Sequence, residues 1–228
     1  ARFVSDASHE LKTPLASIRL LTDSLLQADH MDGETAREFL NDIGDEADRL
    51  TRITEKLLTL TRLDTAPAAE DVPVDVGAVV ERVEHMLSPL ARAVEVSLEL
   101  KLQPGCVVLA TEDDLYQIAF NLMENAVKYN LPGGRVLVTL TADGGRVVLR
   151  VEDTGVGIPE ADLPKIFDRF YRVDKARSRA AGGTGLGLSI VRDTVLQHGG
   201  AVTARRREPE GTCFEVSFAQ WNGEEVGR

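Results

Sequence analysis

Cysteine is nearly absent from this 228-residue chain. Cys106 and Cys213 stand far apart and lack metal-ligand spacing, which excludes a disulfide framework and reads as two reduced structural thiols of a cytosolic protein. No apolar run approaches the roughly 18 residues of a membrane span, and no signal peptide opens the chain. Positive charge is in deficit: the net charge is −11, with 8 basic and 13 acidic residues in 1–64 and 18 and 24 in the remainder. An acidity spread over both parts argues against nucleic acid or anionic lipid as a main partner. Internal repeats and low-complexity tracts are also missing. What is present is an apolar share of 43%, ample for a packed core, in a length that allows one large domain or two modest ones. The chain begins inside a helical heptad pattern, so it is expected to be a piece of something longer.

Residues 1–64 read as two long helices. In the first, to about Ala28, the positions Val4, Ala7, Leu11, Pro14, Ile18, Leu21 and Leu25 follow alternating steps of three and four. The connection at 29–33 carries turn chemistry. The second helix covers roughly Glu34 to Leu63, with Leu40, Ile43, Ala47, Leu50, Ile53, Leu57 and Leu60 on one stripe. Such a hairpin buries its stripe on one side only, which predicts a homodimer with a four-helix bundle. The proline-containing stretch 65–73 reads as a linker.

From Val74 the pattern becomes mixed. Helices are expected near 75–90, 112–129, 162–170 and 187–198, and strands at 94–102, 106–110, 135–142, 146–153, 201–206 and 212–218. The expected fold is an α/β sandwich, one sheet covered on one face by helices.

Four motifs carry chemistry. SHELKTPL (8–15) puts His9 at a heptad position facing away from the seam, with Glu10 beside it and Thr13 one turn later, roughly 6 Å along the axis. Pro14 removes the N–H that would meet the Glu10 carbonyl, so a bend or loosening is expected there. NLMENAVKY (121–129) stacks Asn121 and Asn125 on one helix face, amide oxygens suited to a partly hydrated Mg²⁺ that bridges phosphates. Lys128 can reach a phosphate, and Tyr129 can stack on a base. DTGVGIP (153–159) offers Asp153 as acceptor for an exocyclic amine, and its Gly155 and Gly157 let backbone approach a flat ring. GGTGLGLSI (182–190) runs a glycine-rich loop into a helix N-terminus, a setting for phosphate oxygens, yet it is neither a P-loop nor a dinucleotide fingerprint. Between the last two motifs, 168–179 carries five basic residues (Arg169, Arg172, Lys175, Arg177, Arg179) against Asp168 and Asp174, which predicts a phosphate-facing lid started by Phe167 and Phe170.

In this order, SHELKTPL, NLMENAVKY, DTGVGIP, IFDRFYRVD and GGTGLGL resemble the H, N, G1, F and G2 boxes of sensor histidine kinases of bacterial two-component systems, over nearly the whole chain. The resemblance implies a dimerisation and histidine-phosphotransfer hairpin (1–64), a linker (65–73), a catalytic ATP-binding domain (74–220) shared with gyrase and heat-shock chaperones, and a tail (221–228). It implies ATP and Mg²⁺ as cofactors, His9 as phosphoacceptor, Glu10 as the adjacent acid that orients the ring, Thr13 as the phosphatase residue and Arg172 as a γ-phosphate contact. It also implies Asn121 and Asn125 as magnesium ligands. Nucleotide contacts are implied at Lys128, Tyr129, Asp153, Gly155, Gly157, Gly183, Thr184, Gly185, Leu186 and Gly187. The partner implied is a response-regulator receiver domain, with no nucleic acid, and membrane contact only through segments upstream of Ala1. Two other classes remain in view: a gyrase- or chaperone-like ATPase that uses ATP for conformational work, and a nucleotide-sensing scaffold with a silent histidine. The first has no use for a histidine on a dimeric hairpin; the second would waste a full set of ATP-binding groups.

Overall fold

A computed structural model describes residues 2–28, 30–65, 70–174 and 183–223. Helix α1 (Arg2–Gln27) runs unbroken through Pro14, and α2 (Gly33–Thr65) begins where Asp32 accepts from the backbone N–H groups of Glu34 and Thr35 and so caps two orphan donors. Pro14 is buried and does not terminate the helix.

Strand β1 (Val72–Asp75) starts inside the stretch expected to be linker. It pairs antiparallel with β3 (Val107–Ala110), and the partnership, not composition, extends the backbone there. Asp75 then caps α3 (Val76–Ala93) by accepting from the Gly77 N–H at 2.8 Å. β2 (Ser97–Leu102) is three residues shorter than the alternation suggested, because Val94 and Glu95 close the helix in a turn with Glu95 at φ 58°. After β3, Thr111 caps α4 (Glu112–Lys128), whose first turn holds Glu112, Asp113 and Asp114 in the favourable field of the helix N-terminus.

Strands β4 (Arg135–Asp143) and β5 (Arg146–Asp153) form the expected hairpin. The helix expected at 162–170 is reduced to a single 3-10 turn at Leu163–Lys165. Phe170, at φ 65°, leaves helical space, and its N–H bonds the Gly185 carbonyl instead of a helical partner. α5 (Gly187–Gln197), β6 (Ala201–Arg206) and β7 (Thr212–Ala219) complete the domain.

The main sheet has the order β2-β4-β5-β7-β6, with β2 and β4 parallel and the other pairs antiparallel. Alternate residues such as Val136, Val138 and Leu140 on β4, Val147, Leu149 and Val151 on β5, and Phe214, Val216 and Phe218 on β7 face α3, α4 and α5 and form one large core. The expected one-sided sandwich is therefore present, with the small β1-β3 sheet as an addition. A second, small cluster joins the hairpin to this domain: Leu60 of α2 packs with Leu186 and Ile190, supported by Leu57, Leu63 and Phe170. Both cysteines are free and buried.

Candidate functional site

The ends of α4, β5, β7 and α5 meet around a cavity of about 340 Å³. At its floor Asp153 closes β5, 6% exposed, with Oδ1 accepting from the Gly155 N–H at 2.8 Å and the Thr212 N–H at 3.3 Å. Burial pushes this carboxyl up to about 6, although the two backbone donors pull the other way. A buried acceptor held by backbone is suited to read an exocyclic amine. Gly155 is required by close approach: a Cβ there would stand 2.3 Å from the Tyr129 carbonyl oxygen. Tyr129, Val156, Gly157, Ile158 and Phe214 add flat or apolar wall suited to a planar ring.

Another part of the lining comes from the glycine loop. Gly183, Thr184, Gly185 and Gly187 face the cavity, and Gly185, at φ 72°, passes so near Phe170 that a Cβ would clash with its backbone at 2.9 Å. α5 starts here at a cap, Leu186, that offers no side-chain acceptor, so its first N–H groups remain available to an anion. Asn125 and Lys128 face the same space, with Lys128 paired to Glu124 at 2.8 Å. Asn121 lies just behind the wall: its Nδ2 donates to the Gln117 carbonyl, which turns Oδ1 toward Gly187. Among the described residues no cluster of three or more His, Cys, Asp or Glu could hold a metal ion; the amide oxygens of Asn121 and Asn125 are hard donors that fit Mg²⁺ shared with phosphates.

Of the expected nucleotide contacts, Asn125, Lys128, Tyr129, Asp153, Gly157, Gly183, Thr184, Gly185, Gly187 and Arg172 line the cavity. Three expected residues do not line it. Asn121 and Gly155 sit behind the surface, and Leu186, fully buried, packs against Leu60 of the hairpin. Lys175, Arg177 and Arg179 of the expected lid lie outside the described residues. Phe167 does anchor the start of that segment, edge-on to Phe214 with centroids 6.4 Å apart.

His9 and Thr13 are exposed on α1. Glu10 points away from the expected bond to the His9 ring and instead meets Arg172, whose Nη2 donates to Oε2 at 2.6 Å. The same Nη2 donates to the Thr184 carbonyl at 3.0 Å, so one nearly buried guanidinium spans α1 and the glycine loop. Arg49 of α2, 6% exposed, backs Glu10 at 3.6 Å and Glu46 at 3.5 Å. Thr13 Oγ1 donates to the His9 carbonyl at 3.2 Å, the local bond that a helical threonine commonly makes.

Three groups escaped sequence reasoning. Arg49 and Lys56 are ordinary charged positions of a long helix until packing turns them inward, and Lys56 lines the cavity. His198, following α5, has a side chain only 2% exposed, with Nε2 2.9 Å from Asp114 and Nδ1 3.0 Å from Asp71. The Asp114 hydrogen bond raises its pKa against the effect of burial, with help from Asp71. No local pattern marks any of the three.

Comparison with known proteins agrees with this geometry. Residues 1–66 match the His Kinase A (phospho-acceptor) domain, and residues 110–221 match the histidine kinase-, DNA gyrase B- and HSP90-like ATPase family. The sensor-like histidine kinase SenX3 of Mycolicibacterium smegmatis is 36% identical over 220 residues, covering 96% of this chain and 57% of the relative. The chain thus spans about half the length of the curated relatives it matches. Among solved structures, the mycobacterial sensor histidine kinase MprB is 32% identical with a TM-score of 0.57, over 66% of this chain and 97% of that one. The histidine kinase ThkA, solved in complex with the response regulator protein TrrA, shares the fold at a TM-score of 0.81 and 20% identity, over 97% of this chain and 62% of that one. A phosphoacceptor hairpin bearing His9, joined to an ATPase-type domain with its cavity ringed by the expected groups, places this chain in the sensor histidine kinase family.

Proposed function

We propose that the chain transfers the γ-phosphoryl group of ATP to His9 and then passes it to an aspartate of a response-regulator receiver domain. The observation that carries this reading is Arg172. Its guanidinium lines the cavity, bonds the glycine loop and grips Glu10, the neighbour of His9, within one chain. A cation in that position can follow the phosphoryl group from the nucleotide to the imidazole.

The chemistry needs a ring nitrogen of His9 with a free lone pair. That nitrogen forms the new bond to the γ-phosphorus as the bond to the bridging oxygen breaks and ADP leaves. Asp153 orients the adenine, while the glycine loop and the α5 N-terminus hold phosphate oxygens. Glu10 is shared between Arg172 and Arg49, and release of Arg172 to the nucleotide would free the carboxylate to orient His9 and receive its ring proton. Asn121 and Asn125 would hold Mg²⁺, which would supply charge neutralisation at the phosphates.

Several finer points belong to the same reading. The hairpin 1–64 dimerises through the apolar side it leaves open; 65–73 connects it to the catalytic domain 74–220, and 221–228 is a tail. Thr13 supports dephosphorylation of the regulator by orienting a water. The described residues contain no helix long and apolar enough to cross a membrane. The segment works on the cytoplasmic side of a protein anchored in the cell membrane by parts upstream.

Incubation with γ-labelled ATP tests the core of this. The wild-type chain should acquire acid-labile label and His9→Gln none, while both bind nucleotide alike. Acid-stable label, or labelling that persists in His9→Gln, removes His9 as the acceptor.

A further inference from the structure

Lys56 is the one lining residue of the cavity contributed by the phosphoacceptor hairpin. It projects from α2 toward the start of α5, where a Cβ placed on Gly187 would lie 3.8 Å from its Nζ and 2.8 Å from the Asn121 amide oxygen. The ammonium therefore stands beside the glycine loop and the amide expected to serve the phosphates.

The charges around it are unbalanced. Those that act on Lys56 are Glu124, Lys128 and Arg52, and Glu124 is already engaged by Lys128 at 2.8 Å. Lys56 itself makes no ion pair among the described residues. Glu124 is thus the one opposite charge among those acting on Lys56, and burial holds the lysine below its usual range. A partly buried ammonium whose nearby carboxylate is already engaged is well placed to take its anion from a ligand.

We infer that Lys56 is a phosphate ligand, delivered from the hairpin into the nucleotide cavity, so that the phosphate chain of a bound nucleoside triphosphate ties α2 to the catalytic domain. The inference rests on the reading of the cavity as the ATP site. It adds a contact from outside the ATPase-type domain, and with it a direct means by which nucleotide occupancy controls the docking of Leu60 against Leu186 and Ile190.

Calorimetry on the full chain, with Mg²⁺ present, tests this with adenosine and a non-hydrolysable ATP analogue. Lys56→Gln should weaken the analogue about tenfold, the loss expected for one charge-assisted hydrogen bond, and leave adenosine unchanged. Lys56→Arg should restore binding of the analogue. Thermal denaturation without nucleotide should show Lys56→Gln at least as stable as the wild type, because a desolvated charge has been removed. Equal affinity of wild type and Lys56→Gln for the analogue overturns the inference, as does an equal loss of analogue and adenosine, which would mean a structural position. If the wild-type chain binds neither compound, the reading of the cavity fails and the inference with it; wild-type binding with an unaffected Lys56→Gln removes the inference alone.

Discussion

Leu40, on the apolar stripe of α2, is 60% exposed, whereas the four alternating inward positions of β5 from Val147 to Asp153 are all buried. The same contrast runs through the two regions. In the hairpin Ile53 and Leu60 are the hydrophobic residues that reach full burial among those described, and Leu15, Leu20, Leu26 and Leu58 join Leu40 at the surface. In the catalytic domain three helices and the sheet close around one core of more than two dozen buried side chains. A two-helix layer cannot cover itself, while a sheet with helices on one face can. The difference separates the regions by need: the catalytic domain closes its core within one chain, whereas the hairpin leaves apolar side chains uncovered, the need that the proposed dimer would meet.

The largest effect is expected where that need is greatest. Leu40→Asp places a charge in the proposed bundle seam twice per dimer. With roughly 2–3 kcal/mol for each buried leucine side chain, the dimer dissociation constant should rise more than 100-fold. Sedimentation equilibrium measures it, and an unchanged dimer would put the interface on another face of the hairpin. Adenosine binding, which belongs to the self-sufficient domain, should survive.

A smaller loss is expected where the segment leading into β1 meets α4 and the end of α5. His198 faces the carboxylates of Asp114 and Asp71 together and is attracted to both as the imidazolium, so His198→Gln should lower unfolding stability by about 1–3 kcal/mol near pH 6, the range for charge-assisted contacts. The raised pKa sets the sign. The contribution is complete below the unfolded value near 6.5 and fades as pH rises through the higher folded value, so wild type and variant should converge in alkaline solution. Denaturant melts across pH that keep a constant gap would remove the ionic explanation.

Within the catalytic domain, the Asp153 carboxyl at about 6 gives a pH signature. Reading an amine requires the carboxylate, so affinity for ATP should fall about tenfold for each pH unit below about 6, and Asp153→Asn should flatten that profile. Intrinsic stability should move the opposite way: a raised carboxyl pKa favours the folded state when protonated, and that contribution is lost as pH climbs through about 6. Titration calorimetry from pH 5 to 8 checks the first trend, and a profile identical in Asp153→Asn would place the titrating group elsewhere.

The smallest effect on phosphorylation is expected at Thr13. Its hydroxyl bonds the His9 carbonyl, an exposed helix contact of modest net value, about 0.5–1 kcal/mol. Thr13→Ala should keep most autophosphorylation and lose most of the proposed phosphatase activity. Regulator dephosphorylation at the wild-type rate would leave Thr13 with its helix bond alone.

Much of this protein was legible along the chain because its information is local. Glycines at fixed steps in 153–159 and 182–190, amides four apart on α4, and a histidine on the outer face of a heptad pattern each state a geometry that needs no distant partner. Alternation located β4 and β5 closely, since one face of each is covered and the other is not. It failed where partners intervene: β1 exists through β3, and the expected 162–170 helix yields to the bond from Phe170 to Gly185. By itself, then, the amino-acid sequence carried the motifs, most of the elements and the groups that line the cavity. Tertiary structure alone decided the contacts between regions. Glu10 and Arg172 lie 162 positions apart, Lys56 enters a cavity built by residues 124–214, and His198 bridges Asp71 and Asp114. Such pairings depend on how helices and sheet pack in space, and a charged side chain carries no local mark of the partner that folding will bring to it.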